Sequence, residues 1–499
     1  MMLKLPLRAT LAGTATLAAL LVAGAADAAD LKIGNMLDLR SWDPAETDVG
    51  FNGPYLSAVY DPLVVIDETG AVQPALATDW TWSDDFKTLT MNLRSGVSFS
   101  DGTPFDAEAA KANLEHFMSG TMSGSELSSV DTITVIDPDT IEIALSHRDD
   151  ALLYTLGLAR SYMVSPATIS SGDFSSPVGS GPYTLDAEAT IPGSEYHFDK
   201  VEGHWAETEF PFESVTVYPI LNPTARHNAM LSGQINANFG DPNDLGQAKM
   251  QGWNIADAPS GWVGLQFVDR TGDMLEPLGK LEVRQALNYA FNGAGILRAI
   301  GSGAGVATNQ IFPANTDYND PSLNEEYAYN IDKAKELLAE AGYPDGFDLS
   351  MPMSPIFAVW QPVVEQSLSQ IGVNVTWDNM QMPDYQINAP KYPMFIARLT
   401  MDLNPMANIK KQVTSTQWFN PNPSVDAYPE LASLIDAAFE ATGEAQTEKV
   451  DEVNAKLLDL AWWSIWYQPT STYYTTPDIE AKSVTGYMFP PLRFFDLVE

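Results

Sequence analysis

The chain has 499 residues, with 26 Lys and Arg against 65 Asp and Glu, a formal net charge of −39 and no cysteine. A charge this negative repels nucleic acid and anionic lipid surfaces, so neither is an expected partner. Without cysteine there is no disulfide framework, no thiolate metal site and no lipid-bearing residue at the start of a mature chain.

The acidity is spread along the chain and does not mark disorder. It fits solubility in a saline habitat, with steering of a cationic ligand as the alternative. The 12 Trp, 19 Tyr and 21 Phe fill more than one core at this length, and two or three domains are expected.

Residues 1–28 read as an export signal. Lys4 and Arg8 precede the apolar run from Leu11 to Ala23, and Ala26-Asp27-Ala28 is a small-x-small cleavage site ahead of Ala29. No later stretch approaches about 18 uninterrupted apolar residues, so no membrane span is expected.

In chain order, Leu89, Met91 and Leu93 alternate as a half-buried strand, Ser95-Gly96 turns, Val97 and Phe99 alternate again, and Asp101-Gly102 turns a second time. Asp106 is placed to cap a helix whose Ala110, Leu114 and Phe117 share a face. In "EVRQALNYAFN" Val283, Leu287 and Ala290 face one way. Asn330 is placed to cap "IDKAKELLAEAG", with Ile331, Ala334, Leu338 and Ala341 on one side, Gly342 at the end and Pro344 beyond. Val364, Leu368 and Ile371 then form a helix that Gly372 ends, and Val373, Val375 and Trp377 alternate as a strand. Helices between strands imply α/β layering.

The five histidines, His116, His147, His197, His204 and His227, lack the spacing of a metal site. His197 and His204 are read as solvent-exposed, and no metal or cofactor is expected. "GSGAG", Gly301 to Gly305, lacks the context of a nucleotide loop and reads as a flexible connection. No G-x-S-x-G elbow is present, and no pair of carboxylates has a separation fixed by sequence.

Trp262, in "GWVGLQFV", Trp360, in "MPMSPIFAVW", and Trp418, in "QWFNPNPS", sit beside polar and turn residues. Each either stacks on a ligand or plugs its own core. Trp462, Trp463 and Trp466 lie at helical spacing and read as core.

Several ordered segments carry a resemblance. "YDPLVVIDETGAVQPALATDWTWSDDFKTLTMNLRSGVSFSDGTPFDAE" from Tyr60, "PVGSGPYTL", "NPTARHNAMLSGQIN", "LEVRQALNYAFN" and "IDKAKELLAEAGYPDGFDL" together resemble the peptide/nickel class, family 5, of solute-binding proteins of ABC importers. The resemblance implies an α/β, two-lobed periplasmic binding protein type II-like fold with an extra subdomain in the first lobe. The implied boundaries are a signal peptide at 1–28, a first lobe at 29–262 containing the extra subdomain at about 60–175, a second lobe at 263–476, and a return to the first lobe at 477–499. Hinge crossings are expected near Gly261 to Val268 and near Pro477.

By resemblance the chain is a monomeric, non-enzymatic periplasmic receptor that closes on a small-molecule or peptide-like ligand and delivers it to an inner-membrane ABC permease. A secreted hydrolase with an acidic site and a ligand-presenting sensory receptor are the competing readings. Phe51 and Asn52 fall on an N-terminal loop that approaches the cleft in the family. In "RLTMDLNPMAN" Asp402 matches the family's first ammonium-binding acid, while Asn404 and Met406 stand where later acids would be. Arg398 abuts this loop and either holds a ligand carboxylate or pairs with a neighbouring acid. The expected ligand contacts are therefore Phe51, Asn52, Trp262, Trp360, Arg398, Asp402, Asn404 and Trp418.

Overall fold

The computed structural model describes residues 29–47, 49–121 and 124–498. The export signal and its cleavage site lie outside the described residues.

The local signals of the first half fold as their chemistry dictates. Leu89, Met91 and Leu93 are buried on the strand Thr88–Leu93. The Asp106 carboxylate accepts a hydrogen bond from the Ala109 amide at 2.9 Å and so starts the helix Ala107–Ser119, which buries Ala110, Leu114 and Phe117. Gly96 and Gly102 turn the chain at φ of 79° and 83°, a region that favours glycine. Val97 and Phe99 depart from expectation: they flank a lone antiparallel bridge from Ser98 to Pro104 rather than forming a strand. Pro104 has no amide with which to extend the ladder.

Thr88–Leu93 belongs to a four-stranded antiparallel sheet in the order Ala77–Trp82, Thr88–Leu93, Thr140–Leu145, Val130–Asp137. In the second half, Asn330 accepts from the Lys333 amide at 3.0 Å to cap Ile331–Glu340. The strand Asp348–Met353, the helix Gln361–Ser369 and the parallel strand Asn374–Asn379 then form a β-α-β unit.

Ten strands among the described residues form one mixed sheet. Its order begins with Met394–Leu399, Trp262–Phe267 and the long strand Trp463–Thr475. It continues through Ala237–Phe239, Asp30–Asn35, Ser214–Pro219, Tyr196–Lys200 and Tyr183–Leu185. The long strand ties the molecule together. Trp463 to Tyr467 pair with Trp262–Phe267, whereas Thr470 to Thr475 pair with Asn254–Pro259.

Ahead of Pro477, Thr470 to Thr475 are laddered to Asn254–Pro259. Pro477 follows the end of that strand and leads into a small hairpin-like pairing of Ile479–Ala481 with Phe495–Leu497. The segments at Ser260 and Pro469 lie side by side, the Ser260 amide donating to the Pro469 carbonyl at 3.0 Å. Bending two adjacent segments moves two cores without unfolding either. One large apolar cluster gathers Trp262, Leu287, Leu338, Leu368 and Trp462, and a second gathers Leu31, Tyr60, Leu89, Phe117 and Phe198.

Trp462, Trp463 and Trp466 are buried as expected but not on a helix. The helix Glu444–Asp459 ends, Ala461 takes a positive φ of 44°, and Trp463 opens the long strand. Phe51 and Asn52 lie not in a loop but on the helix Val49–Val59, which kinks at Asn52 with Pro54 inside it. The missing proline amide breaks the helical ladder there.

Candidate ligand-binding cleft

The segments 124–160 and 398–446 meet face to face. Several polar contacts hold them together. Lys410 Nζ pairs with Asp149 Oδ2 and donates to the Glu126 carbonyl at 2.8 Å. The Leu403 amide donates to the Tyr154 hydroxyl at 2.9 Å. Arg148 donates to the carbonyls of Glu440 and Ala441 at 2.8 and 3.1 Å, and Gln446 reaches Asp150 at 3.1 Å.

Between these contacts lies a small pocket lined by Glu126, Thr155, Leu158, Asp402, Lys410, Lys411 and Gln417 among others.

The pocket's chemistry comes from three acids and three bases. The Arg160 guanidinium holds Glu126 through two bonds, of 2.8 and 3.0 Å. Desolvation pushes the Glu126 carboxyl up, but Arg160, Lys411 and Lys410 together hold it below the usual value. Asp149 accepts from the Ser129 hydroxyl at 2.5 Å as well as from Lys410. Asp402 Oδ2 faces the Lys411 ammonium at 3.4 Å, and Lys411 also donates to Thr400 Oγ1 at 2.8 Å. Asp402 Oδ1 is buried with no hydrogen-bond partner among the described residues. Burial raises the Asp402 pKa, and Lys411 opposes that rise.

The strand Met394–Leu399 carries Arg398, four residues before the pocket-lining Asp402. Ala397 and Leu399 are buried in the apolar cluster that contains Trp262, so alternation on the strand turns Arg398 to the opposite face. More than a third of the Arg398 side chain is open to solvent by surface area, yet protein surrounds the guanidinium closely enough for desolvation to lower its pKa. The two observations agree if Arg398 lines a wet, walled chamber rather than the outer surface.

The model of the bacterial extracellular solute-binding proteins, family 5, middle region, matches residues 71–420. The chain belongs to this family. The glutathione-binding protein GsiB of Salmonella paratyphi A is 28% identical over 358 residues, which is 69% of this chain and 68% of that protein. The periplasmic binding protein DppA of Helicobacter pylori, solved with the peptide STSA, shares the fold at a TM-score of 0.80 and 21% identity, over 94% of this chain and 98% of that one. AgaA of A. tumefaciens R10, solved with agropinic acid, has the same TM-score of 0.80 and 21% identity, over 94% of this chain and 99% of that one. The fold is accordingly that of the two-lobed periplasmic binding proteins, and the family member acts as a receptor that delivers its ligand to an ABC importer.

The expected contact residues are dispersed. Asp402 lines the pocket, and Arg398, four residues earlier, lies on the strand that leads to it. Asn404 is occupied as a helix cap, accepting from the Ala407 amide at 3.0 Å. Trp418 is half-buried, stacked on Phe395 with centroids 6.0 Å apart, one residue from pocket-lining Gln417. Trp360 is mostly buried and donates through its indole to the Tyr467 hydroxyl at 3.2 Å. Trp262 is fully buried, with Trp463 at 6.3 Å. Asn52 is buried and donates to Thr47 Oγ1 at 3.2 Å, while the side chain of Phe51 lies outside the described residues.

His204 is a correction. It is buried, not solvent-exposed, with Nε2 at 3.1 Å from Asp61, whose same oxygen accepts from the Trp205 indole at 2.9 Å. This packing belongs to the first lobe.

Sequence reasoning missed Glu126, Asp149, Arg160, Lys410 and Lys411. One signal was available: Lys410 and Lys411 are adjacent lysines just after the proposed ligand loop, in a chain where basic residues are scarce.

Proposed function

We propose that the chain is an exported, periplasmic receptor of an ABC importer, monomeric and without covalent chemistry of its own, that traps a peptide-like or other small organic solute between its lobes. The observation that carries this reading is the charged pocket walled by both lobes, beside two adjacent crossings suited to hinge closure. Relatives named for glutathione, a peptide and agropinic acid support a solute of that size.

In this reading the extra subdomain supplies Glu126, Asp149 and Arg160, and the second lobe supplies Arg398, Asp402, Lys410 and Lys411. Ligand contacts that exist only in the closed form shift the population toward it. The half-buried Trp418 is an aromatic contribution one residue from pocket-lining Gln417.

Small-angle scattering of the mature chain, stripped of solute by unfolding and refolding, tests the proposal. Addition of glutathione or a panel of free and N-acetylated peptides is expected to reduce the radius of gyration with at least one of them, and the bound molecule is expected to be recovered unaltered. An unchanged profile with the whole panel, or recovery of a cleaved product, would refute it.

A further inference from the structure

We propose that the solute is an organic acid that lacks a free ammonium at its Asp402 end, and that Arg398 and Tyr467 hold its carboxylate. This inference rests on the receptor reading and adds the chemical class of the ligand.

The first observation is a charge inventory of the closed cleft. Glu126 has Arg160, Asp149 has Lys410, and Asp402 has Lys411. Each acid already owns an internal cation. A ligand ammonium arriving at the unpartnered Asp402 Oδ1 would share one carboxylate with Lys411, which already faces Oδ2 at 3.4 Å, and the two like charges repel in a desolvated site.

The second observation is the cation left over. Arg398 makes no hydrogen bond or ion pair with any described residue, although protein walls it in. Its position in the sheet gives it a companion. Val263 is paired with Arg398 on one side and with Tyr467 on the other. Residues directly opposite one another across a ladder project from the same face, so Arg398 and Tyr467 flank Val263 on one face. Tyr467 in turn receives the Trp360 indole hydrogen on its oxygen at 3.2 Å. The phenol's own hydrogen finds no acceptor among the described residues.

A planar guanidinium with its donors unused, next to an O–H with no acceptor, matches an oxyanion and offers nothing to a cation. A carboxylate satisfies both at once through charge-assisted hydrogen bonds.

The test uses the mature protein, refolded to remove endogenous solute, and three size-matched probes. N-acetyl-alanyl-alanine carries only a carboxylate, alanyl-alanine amide only an ammonium, and N-acetyl-alanyl-alanine amide neither. Calorimetry is expected to show the acid binding at least tenfold more tightly than the other two. Arg398→Gln should remove that preference, Arg398→Lys should restore part of it, and Tyr467→Phe should weaken the acid alone. The solute-free Arg398→Gln protein should melt no lower than the parent, because the substitution removes a walled-in charge that has no partner.

A preference for the ammonium or the neutral probe, an acid affinity unchanged in Arg398→Gln, or a melting temperature several degrees lower in that variant overturns the inference. The first of these leaves the receptor reading standing. Failure of every probe to bind or to close the lobes overturns both.

Discussion

Replacing Lys410 by methionine removes the one ammonium that bridges the second lobe to both Asp149 and the Glu126 carbonyl. The side chains of Lys410 and Asp149 are 12% and 2% exposed, so the pair belongs to the buried class, in which removing one partner costs about 3–5 kcal/mol. Asp149 keeps the Ser129 hydroxyl and the Ala151 amide, which lowers the expected loss to about 2–3 kcal/mol. The loss falls on the closed form alone, because opening returns both groups to water.

A closed form weaker by that amount lowers the apparent affinity for solute by about 30- to 150-fold. Calorimetry with the solute recovered from the native protein reads the affinity, and scattering at saturation reads the closure. Asp149→Asn combined with Lys410→Met leaves no orphaned charge and should recover part of the loss. Lys410→Met with unchanged affinity and an unchanged closed population would show that the pair does not hold the lobes together.

Asp106→Ala should lower stability in urea by about 1 kcal/mol through loss of the helix cap, with solute affinity intact. Gly264→Ala should cost about 3 kcal/mol or prevent folding of the second lobe, since the new Cβ would lie 2.1 Å from the Ser464 carbonyl oxygen. A melt that matches the parent would refute the close packing of those strands. Glu126 is held below its ordinary 4.5, so its stabilising contribution is complete above that value and is lost as pH falls through the depressed one. Glu126→Gln should therefore flatten the acid limb of a plot of melting temperature against pH. Asp402 runs the opposite way, its raised pKa making ionisation unfavourable as pH rises above the ordinary 3.8.

What the sequence made legible is local. Asp106 and Asn330 cap helices because their side chains reach amides three residues on, a relation visible in any window of four residues. The faces of Ala107–Ser119 and Ile331–Glu340 follow from apolar spacing for the same reason. The long strand Trp463–Thr475 was not legible, since its two halves pair with strands some 200 residues away and on different lobes. Trp462, Trp463 and Trp466 have helical spacing in the sequence, but a turn at Ala461 precedes all three and Trp463 and Trp466 lie on the strand.

The site divides along the same line. Arg398 and Asp402 stood out because they flank one recognisable loop. Asp149, Glu126 and Arg160 could not, because each is one of many charged residues until folding carries it across to Lys410 and its neighbours. Asn404 illustrates the converse: its position drew notice as a missing acid, and its side chain is committed to the Ala407 amide.

Native mass spectrometry of the chain purified without denaturation from its own host tests the central claim most directly. The account predicts a one-to-one complex whose added mass belongs to a small organic acid, released unaltered when the protein unfolds. A chain that carries no solute and acquires none when returned to an extract of small molecules from the host's medium, or one that releases only hydrolysed fragments, would contradict it.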